Sequence, residues 1–192
     1  LRTTDLRKEV PEIISEEKPE TRLELKDVSL FYRKKSVVEN ISVKISRGEV
    51  IALIGENGTG KTTFSRSLCG LHRETKGDYF WDGKVISKKK RQKIAYMVMQ
   101  DVNYELFAES VEAECSFGIK NPDLNVVTAV MDVLGLTHFA RRHPGTLSGG
   151  QKQRLAVAVS QVCKKELIIF DEPTSGLDYE SMARVAKIVR NL

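Results

Sequence analysis

The stretch Gly55-Glu56-Asn57-Gly58-Thr59-Gly60-Lys61-Thr62 decides the fold of this 192-residue chain. It matches the pattern G-x-x-x-x-G-K-[ST] in full, and the apolar run Val50–Ile54 stands directly before it. Glycines let successive backbone amides curl around phosphate oxygens, and a helix that begins here points its positive dipole end at the anion. We predict a strand buried on both faces at 50–54, a phosphate-binding loop, and a helix from Lys61 to about Cys69, ended by Gly70.

Two polar side chains of the loop have predicted tasks. Lys61 is predicted to reach the β- and γ-phosphates, and the Thr62 hydroxyl is predicted to coordinate Mg²⁺. A tight glycine-rich turn without a ligand is the alternative, but the flanking strand and helix patterns speak against it. The residues predicted to bind nucleotide here are Gly55, Glu56, Asn57, Gly58, Thr59, Gly60, Lys61, Thr62 and Thr63.

Two carboxylates follow a second apolar run, Leu167–Phe170, which predicts another buried parallel strand. A carboxylate at the C-terminal end of a parallel strand faces the crevice in which such sheets bind ligands. Asp171 is predicted to hold the metal, directly or through water, and Glu172 to orient or polarise the attacking water. An acidic pair that merely ends a strand is the alternative, which the phosphate loop in the same chain disfavours.

The remaining patterns complete an α/β fold. Strands are predicted at 23–32, 41–45 and 94–99, and the pair Asp82-Gly83 predicts a tight hairpin. Helical patterns dominate from 105 to 154, including a helix over 126–134 that Gly135 ends, and a last helix opens at 179. Strands that alternate with helices favour a mostly parallel sheet, with an antiparallel β region at the N-terminal end and a helical lobe inserted between the two buried strands.

Composition and charge exclude several classes of protein. No apolar run approaches the roughly 20 residues that span a bilayer, and no signal peptide is visible. The net charge of +5 has its densest source in the basic run at 88–93, which lacks interleaved aromatic residues and is predicted to be a solvated hairpin edge. No nucleic-acid partner is expected. Cys69, Cys115 and Cys163 fit no metal pattern and are predicted to be reduced packing residues.

A second glycine-containing helix start follows at Leu147-Ser148-Gly149-Gly150-Gln151. Ser148 with Gln151 fits a capping box, so a helix is predicted to run from here through Cys163. Two glycines at a helix start expose bare amides, which makes this a second potential anion site. An ordinary capped helix is the alternative.

With this string the chain resembles the ATP-binding-cassette (ABC) ATPases, because LSGGQ is the signature of that family. The order of the other motifs matches as well. Gln100 resembles the family's Q-loop glutamine, which also implies a metal contact. LIIFDE at 167–172 resembles the second nucleotide motif, Ser175-Gly176-Leu177-Asp178 resembles the D-loop, and Tyr32 stands where the family has its adenine-stacking aromatic residue.

The resemblance covers 23–192 and implies a division of the chain. Residues 1–20 are expected to be a linker or tail, and 21–192 an ABC ATPase domain of the P-loop NTPase class. Within that domain, 21–102 and 164–192 are expected to form the core and 103–163 the helical subdomain. The cofactors implied are ATP and Mg²⁺, with Glu172 and Gln100 as catalytic residues.

The family also implies partners. Two domains meet head to tail, and Ser148, Gly149, Gly150 and Gln151 of one are expected to contact the nucleotide bound by the other. An integral membrane transporter subunit is the second expected partner, which would place the chain on the cytoplasmic face of the cell membrane.

The stretch Gln100–Phe107, with Ser110-Val111-Glu112 and Phe117-Gly118, resembles the energy-coupling-factor importers of vitamins and transition-metal ions such as cobalt. The function expected is therefore that of the ATP-hydrolysing subunit of such an importer, with the chain as the second cassette of a fused protein. A soluble ABC ATPase of translation, iron–sulfur assembly or DNA repair is the alternative. A catalytically dead interaction module is disfavoured because Lys61, Asp171 and Glu172 are all present.

The chain departs from the family pattern at its end. The family places a switch histidine after the helix that follows the D-loop, whereas His72, His138 and His143 all precede Asp171. The sequence stops at Leu192, inside that helix, so a C-terminal truncation is expected. We expect this chain to bind ATP and to hydrolyse it weakly.

Overall fold

The computed structural model describes residues 20–174 and 177–190 of the chain. The strands are β1 (Thr21–Tyr32), β2 (Lys35–Ser46), β3 (Thr75–Trp81), β4 (Lys84–Val85), β5 (Ala95–Val98) and β6 (Leu167–Phe170). The α-helices are α1 (Lys61–Leu68), α2 (Lys88–Ile94), α3 (Val111–Ser116), α4 (Leu124–Val133), α5 (Gly149–Val162) and α6 (Tyr179–Arg190). Short 3₁₀ turns lie at Val102–Tyr104, Thr137–Phe139 and Pro144–Thr146.

An antiparallel sheet of four strands in the order β2-β1-β3-β4 forms the N-terminal part of the fold. The hairpin predicted at Asp82-Gly83 is confirmed: both residues have positive φ, and Phe80 pairs with Val85 across it. One face of the sheet is apolar, and its buried residues pack with Leu68 of α1. The predicted antiparallel region is therefore confirmed, and it lies against the helix that follows the phosphate loop.

The parallel part of the fold is formed by β5 and β6. Ala95 pairs with Leu167 and Val98 with Phe170, and the amide of Asp171 continues the ladder by donating to the carbonyl of Val98 at 2.9 Å. Because the two strands run in the same direction, the residues that follow them emerge at the same edge of the sheet. The sheet thus places Gln100 beside the carboxylates after β6.

The helical lobe predicted between the apolar runs is confirmed. Helices α3, α4 and α5 share one hydrophobic cluster, in which Val111, Val127 and Leu155 are fully buried. Two residues of α6, Val185 and Ile188, join the same cluster. The exact boundaries expected at 102/103 and 163/164 stay predictions. None of the helices among the described residues is both long and apolar enough to cross a membrane.

The strand predicted at Val50–Ile54 is wrong. The segment carries no strand pairing within the described part of the chain, and Val50 and Ile54 are 74% and 89% exposed. A strand forms only where a neighbour satisfies its backbone groups, and β6 pairs with β5 alone in the described residues. For the same reason β6 is half-buried rather than fully buried.

The hairpin edge predicted for the basic run is also wrong, because residues 88–94 form α2. The Ser87 hydroxyl accepts a hydrogen bond from the amide of Lys90 and caps the helix start. Arg91 is buried in spite of its charge: its guanidinium lies 3.6 Å from the centre of the Tyr79 ring and donates to the carbonyl of Ser67 at 2.5 Å. The helix turns Arg91 and Ile94 inward, while Lys89, Lys90 and Lys93 stay exposed.

Candidate functional site

The phosphate loop depends on glycine at the position before α1. Gly60 has a φ of 94°, and a Cβ there would lie 2.8 Å from Val38 and 2.9 Å from Val37 of β2. Both the conformation and the close approach of β2 exclude any other residue. Gly58, with a φ of 85°, lies in the same left-handed region. Glycine is therefore required at the loop position that directly precedes α1.

The start of α1 offers unpaired donors. The first bond of the helix runs from the amide of Phe64 to the carbonyl of Gly60 at 2.8 Å, and no side chain caps the helix start. The amides of Lys61, Thr62 and Thr63 consequently lack intrahelical partners. The Lys61 ammonium lies over the same loop, where it donates to the carbonyls of Gly55 and Glu56 at 2.8 and 2.7 Å. Amides, helix dipole and ammonium together fit a phosphate chain.

A pair of oxygen ligands lies beside this cradle. The Thr62 hydroxyl donates to a carboxylate oxygen of Asp171 at 3.3 Å, which joins the start of α1 to the end of β6. Hydroxyl and carboxylate oxygens are the ligands that Mg²⁺ prefers. The donor set therefore fits the predicted magnesium ion, and the fold brings its members together from 109 residues apart.

Glu172 and Gln100 are in direct contact. The Gln100 side-chain amide donates to a carboxylate oxygen of Glu172 at 2.9 Å. Glu172 has a φ of 54°, a conformation that is unfavourable for a residue with a side chain and that is concentrated at functional sites. The turn after β6 thus directs this carboxylate toward the edge at which β5 ends.

The second glycine-rich helix start has the predicted capping box. The amide of Ser148 donates to the Gln151 side chain at 2.8 Å, and the amide of Gln151 donates to the Ser148 hydroxyl at 3.4 Å. Gly149 and Gly150 hold the first positions of α5. No hydrogen bond among the described residues joins 148–151 to 55–63.

Asp178 is held by side chains that the sequence patterns did not reveal. Its carboxylate accepts from the amide and hydroxyl of Ser181 at 2.8 and 3.1 Å, and these bonds lower its pKa. Arg154 of α5 donates to the same hydroxyl at 2.7 Å, so the helix that begins at Gly149 is linked to this turn. Arg154 and Ser181 lie 27 positions apart, so no local pattern connects them. Ser175 and Gly176, also assigned to the D-loop, lie outside the described residues.

The predicted adenine-stacking residue, Tyr32, lies beside the tip of the β1–β2 hairpin. It is the last residue of β1, its side chain is 60% exposed, and the guanidinium of Arg33 lies 5.7 Å from the centre of its ring. An exposed ring at the end of a hairpin is free to stack on a flat base. The structure therefore leaves the predicted adenine contact available.

A groove lies next to Gln100, on the side of β5. Its cavity of about 310 Å³ is lined by Cys69, Leu71, Gln92, Ala95, Tyr96, Met97, Met99, Tyr104, Glu105 and Phe107. Tyr104 and Phe107 are 73% and 68% exposed. The buried carboxylate of Glu114 fixes the backbone here by accepting from the amides of Phe107 and Ala108 at 2.7 and 2.6 Å. The groove is apolar and is distinct from the phosphate loop.

Glu105 brings a carboxylate into this apolar groove. One of its oxygens accepts from the amide of Met99 at 2.6 Å, whereas the other is buried and has no hydrogen-bond partner within the described part of the chain. Burial raises the pKa of Glu105 to about 7, against the opposing effect of the Met99 bond and with help from the nearby Glu114. The sequence did not reveal a role for Glu105, because the residues around it do not indicate that its carboxylate is buried.

Comparison with known proteins points to one family. Residues 38–175 match the family model described as ABC transporter. Two longer Treponema denticola proteins, provisionally named ABC transporter ATP-binding proteins, are 49% and 44% identical over 88% of the chain. The chain spans about a third of their length, 34% and 35%.

Shorter relatives and solved structures agree. An energy-coupling factor transporter ATP-binding protein, EcfA1, from Mycoplasmopsis synoviae is 33% identical over 88% of the chain and 68% of its own length. The structure of cbiO1 from Clostridium perfringens, described as part of the ABC transporter complex cbiONQ, superposes with a TM-score of 0.75. It is 29% identical over 90% of the chain and 73% of its own chain.

The pH dependence of stability tests the position of Glu105. Its pKa rises from 4.5 to about 7 on folding, so between these values the folded chain holds more protons than the unfolded chain. Stability therefore falls as the pH rises through this window. Glu105→Gln should remove that slope and raise the thermal midpoint above pH 7, because an amide pays no such cost. Thermal denaturation from pH 5 to 8 measures both effects.

The matched control is Glu109→Gln, an exposed carboxylate four residues away. It should leave the slope of the parent protein intact. An equal slope in the Glu105→Gln protein would show that Glu105 is not buried as described.

Proposed function

This chain belongs to the ABC transporter family, and we propose that it binds and hydrolyses ATP as the ATP-binding subunit of a membrane importer. One observation carries the catalytic part of the proposal. The phosphate loop, the Thr62–Asp171 contact and the Gln100–Glu172 contact meet at a single edge of the fold. An ATPase needs this combination, because phosphoryl transfer is catalysed mainly by positioning and by electrostatic stabilisation.

Each of these residues has a role that follows from its position. The amides of residues 61–63 and the Lys61 ammonium bind the phosphate oxygens, and Tyr32 stacks on the adenine. Thr62 and Asp171 hold Mg²⁺, with Gln100 as a further ligand. The bound metal ion neutralises charge that develops on the phosphates. Glu172 orients the attacking water and takes up its proton, work that is worth about 10²–10⁴ in rate.

The same proposal includes a head-to-tail dimer. The amides at the start of α5 make no hydrogen bond to the phosphate loop of this chain within the described residues. A second cassette that presents its phosphate loop would satisfy them. Ser148, Gly149, Gly150 and Gln151 then complete the site of the partner domain, and Arg154 couples them to Asp178 in the same subunit.

The groove beside Gln100 supports the transport role. It is apolar, it carries exposed aromatic side chains, and it lies directly after the strand that ends at the catalytic edge. A membrane subunit that docks here would sense the state of the nucleotide site through Gln100. The EcfA1 and cbiO1 relatives are parts of transporters, which supports a transport role. Vitamins or transition-metal ions are the proposed substrates because the sequence resembles energy-coupling-factor importers, and the chain would lie on the cytoplasmic face of the cell membrane. A soluble ABC ATPase without a membrane partner remains the alternative.

Replacement of the phosphate-loop lysine tests nucleotide binding. Lys61→Ala removes charge-assisted hydrogen bonds of about 1.5–3 kcal/mol, so we expect ATP affinity to fall about tenfold or more. Isothermal titration calorimetry measures the change. The control is Lys89→Ala, an exposed lysine on α2, which should bind ATP as the parent does. Unchanged affinity in the Lys61→Ala protein would remove the basis of the proposal.

Glu172→Gln tests the catalytic carboxylate and the dimer together. The amide keeps the shape of the side chain but cannot accept a proton, so the variant should bind ATP, hydrolyse it at least about 100-fold more slowly, and accumulate as a closed dimer. Gel filtration with and without ATP detects the dimer, and Glu39→Gln on the exposed face of β2 serves as control. Elution as a monomer at saturating ATP would contradict the head-to-tail arrangement.

Phe107→Asp tests the docking groove. A charge at this exposed aromatic position should abolish co-purification with an integral membrane protein from detergent-solubilised membranes, while ATP affinity stays unchanged. Val85→Asp, an exposed apolar residue on β4, is the matched control. Co-purification of the parent protein with ribosomes instead would favour the soluble alternative.

A further inference from the structure

The turn that presents Tyr32 is unfavourable by itself. Arg33 and Lys34 form the tip of the β1–β2 hairpin, and both have positive φ, 49° and 66°. This is the geometry of a two-residue hairpin turn that favours Asn-Gly, because most side chains clash with the backbone in it. An arginine and a lysine here need an external stabilising contact.

Glu74 supplies that contact. Its carboxylate oxygens accept hydrogen bonds from the amides of Arg33 and Lys34 at 3.3 and 3.2 Å. Two successive amides in a turn form a concave anion site, and the carboxylate fills it. The backbone adds to the contact, since the amide of Phe31 donates to the carbonyl of Glu74 at 2.9 Å and the His72 ring bonds to the carbonyl of Phe31 at 2.8 Å.

The segment that holds the hairpin is itself attached to the phosphate-binding helix. The amides of Leu71 and His72 donate to the carbonyl of Arg66 in the last turn of α1 at 2.8 and 3.2 Å. At the other end of α1, Val38 of β2 touches the position of Gly60. Val38 pairs with Leu30, two residues or about 7 Å before Tyr32 along β1. Both ends of α1 therefore fix the strand that carries the aromatic ring.

We propose that Glu74 is a positioning residue for the base of the nucleotide: its carboxylate holds the strained hairpin tip so that Tyr32 can stack on adenine. The inference rests on the proposed ATP-binding function and deepens it. Stacking needs the ring to be in place before the base arrives, because ordering a mobile tip on binding would consume affinity. Glu74 touches the turn and not the nucleotide.

Binding of ATP and of inorganic tripolyphosphate distinguishes an effect on the base from an effect on the phosphates. The Glu74→Ala protein should bind ATP about fivefold or more weakly, since stacking on an aromatic ring contributes at least this much. Its affinity for inorganic tripolyphosphate, which has no base, should change by less than about twofold. Asp78→Ala removes one exposed negative charge from β3 and should leave both affinities as in the parent. Calorimetry with Mg²⁺ present measures all of them.

A double-mutant cycle with Tyr32 and a pair of rescuing substitutions in the turn test the role of Glu74 further. In a Tyr32→Ala background, Glu74→Ala should cost less than about twofold in ATP affinity, because the ring it positions is gone. Arg33→Asn with Lys34→Gly makes the turn favourable without Glu74, so these changes should restore ATP affinity to the Glu74→Ala protein.

The outcomes distinguish the inference from the function on which it rests. A parent protein that binds ATP, beside a Glu74→Ala protein that binds it equally well, would overturn the role of Glu74 and leave the ATPase proposal intact. An equal loss of tripolyphosphate binding, or an undiminished loss in the Tyr32→Ala background, would also overturn it. A parent protein that binds no ATP would instead overturn the proposed function.

Discussion

The close approach of β2 to Gly60 is the constraint on which the site depends. A Cβ at this position would lie 2.8 Å from Val38. Only glycine therefore fits here, in the left-handed conformation that directly precedes α1. The free amides of the first helical turn then face the loop, and Thr62 comes within 3.3 Å of Asp171. The same contact holds β2, and β2 pairs with β1, the strand whose last residue is Tyr32. One steric condition thus links the segments proposed to bind the phosphates, the metal ion and the base.

The register of β5 against β6 is the second condition. The ladder continues past Phe170 because the amide of Asp171 bonds to Val98, and this places Gln100 within 2.9 Å of Glu172. A slip of one residue would turn every side chain of β6 to the opposite face and separate the catalytic carboxylate from its partner. Sheet pairing and the contact between Gln100 and Glu172 are therefore a single property of this edge, and the groove lies beside the same strand, β5.

The sequence predictions that the structure confirms rest mostly on local sequence patterns. The loop pattern before Lys61, the Ser148 capping box and the Asp82-Gly83 turn are read within a few residues, and each has its expected conformation. The errors arose where the outcome depends on distant partners. Strand formation at 50–54 needs a neighbouring strand. The basic run forms a helix in which Arg91 is buried against Tyr79 and Ser67, two residues that lie 12 and 24 positions earlier in the sequence. The contact of Glu74 with the amides of Arg33 and Lys34 joins residues 41 and 40 positions apart, so no sequence spacing predicts it.

The segment at 50–54, which has no strand partner among the described residues, leaves an apolar surface directly before the phosphate loop. Its five residues are apolar, carry no charge and no proline, and expose both side chains and backbone. Segments of this composition form intermolecular β-sheets readily when nothing covers them. Polypeptides of this sequence that meet through the segment would associate in a concentration-dependent manner.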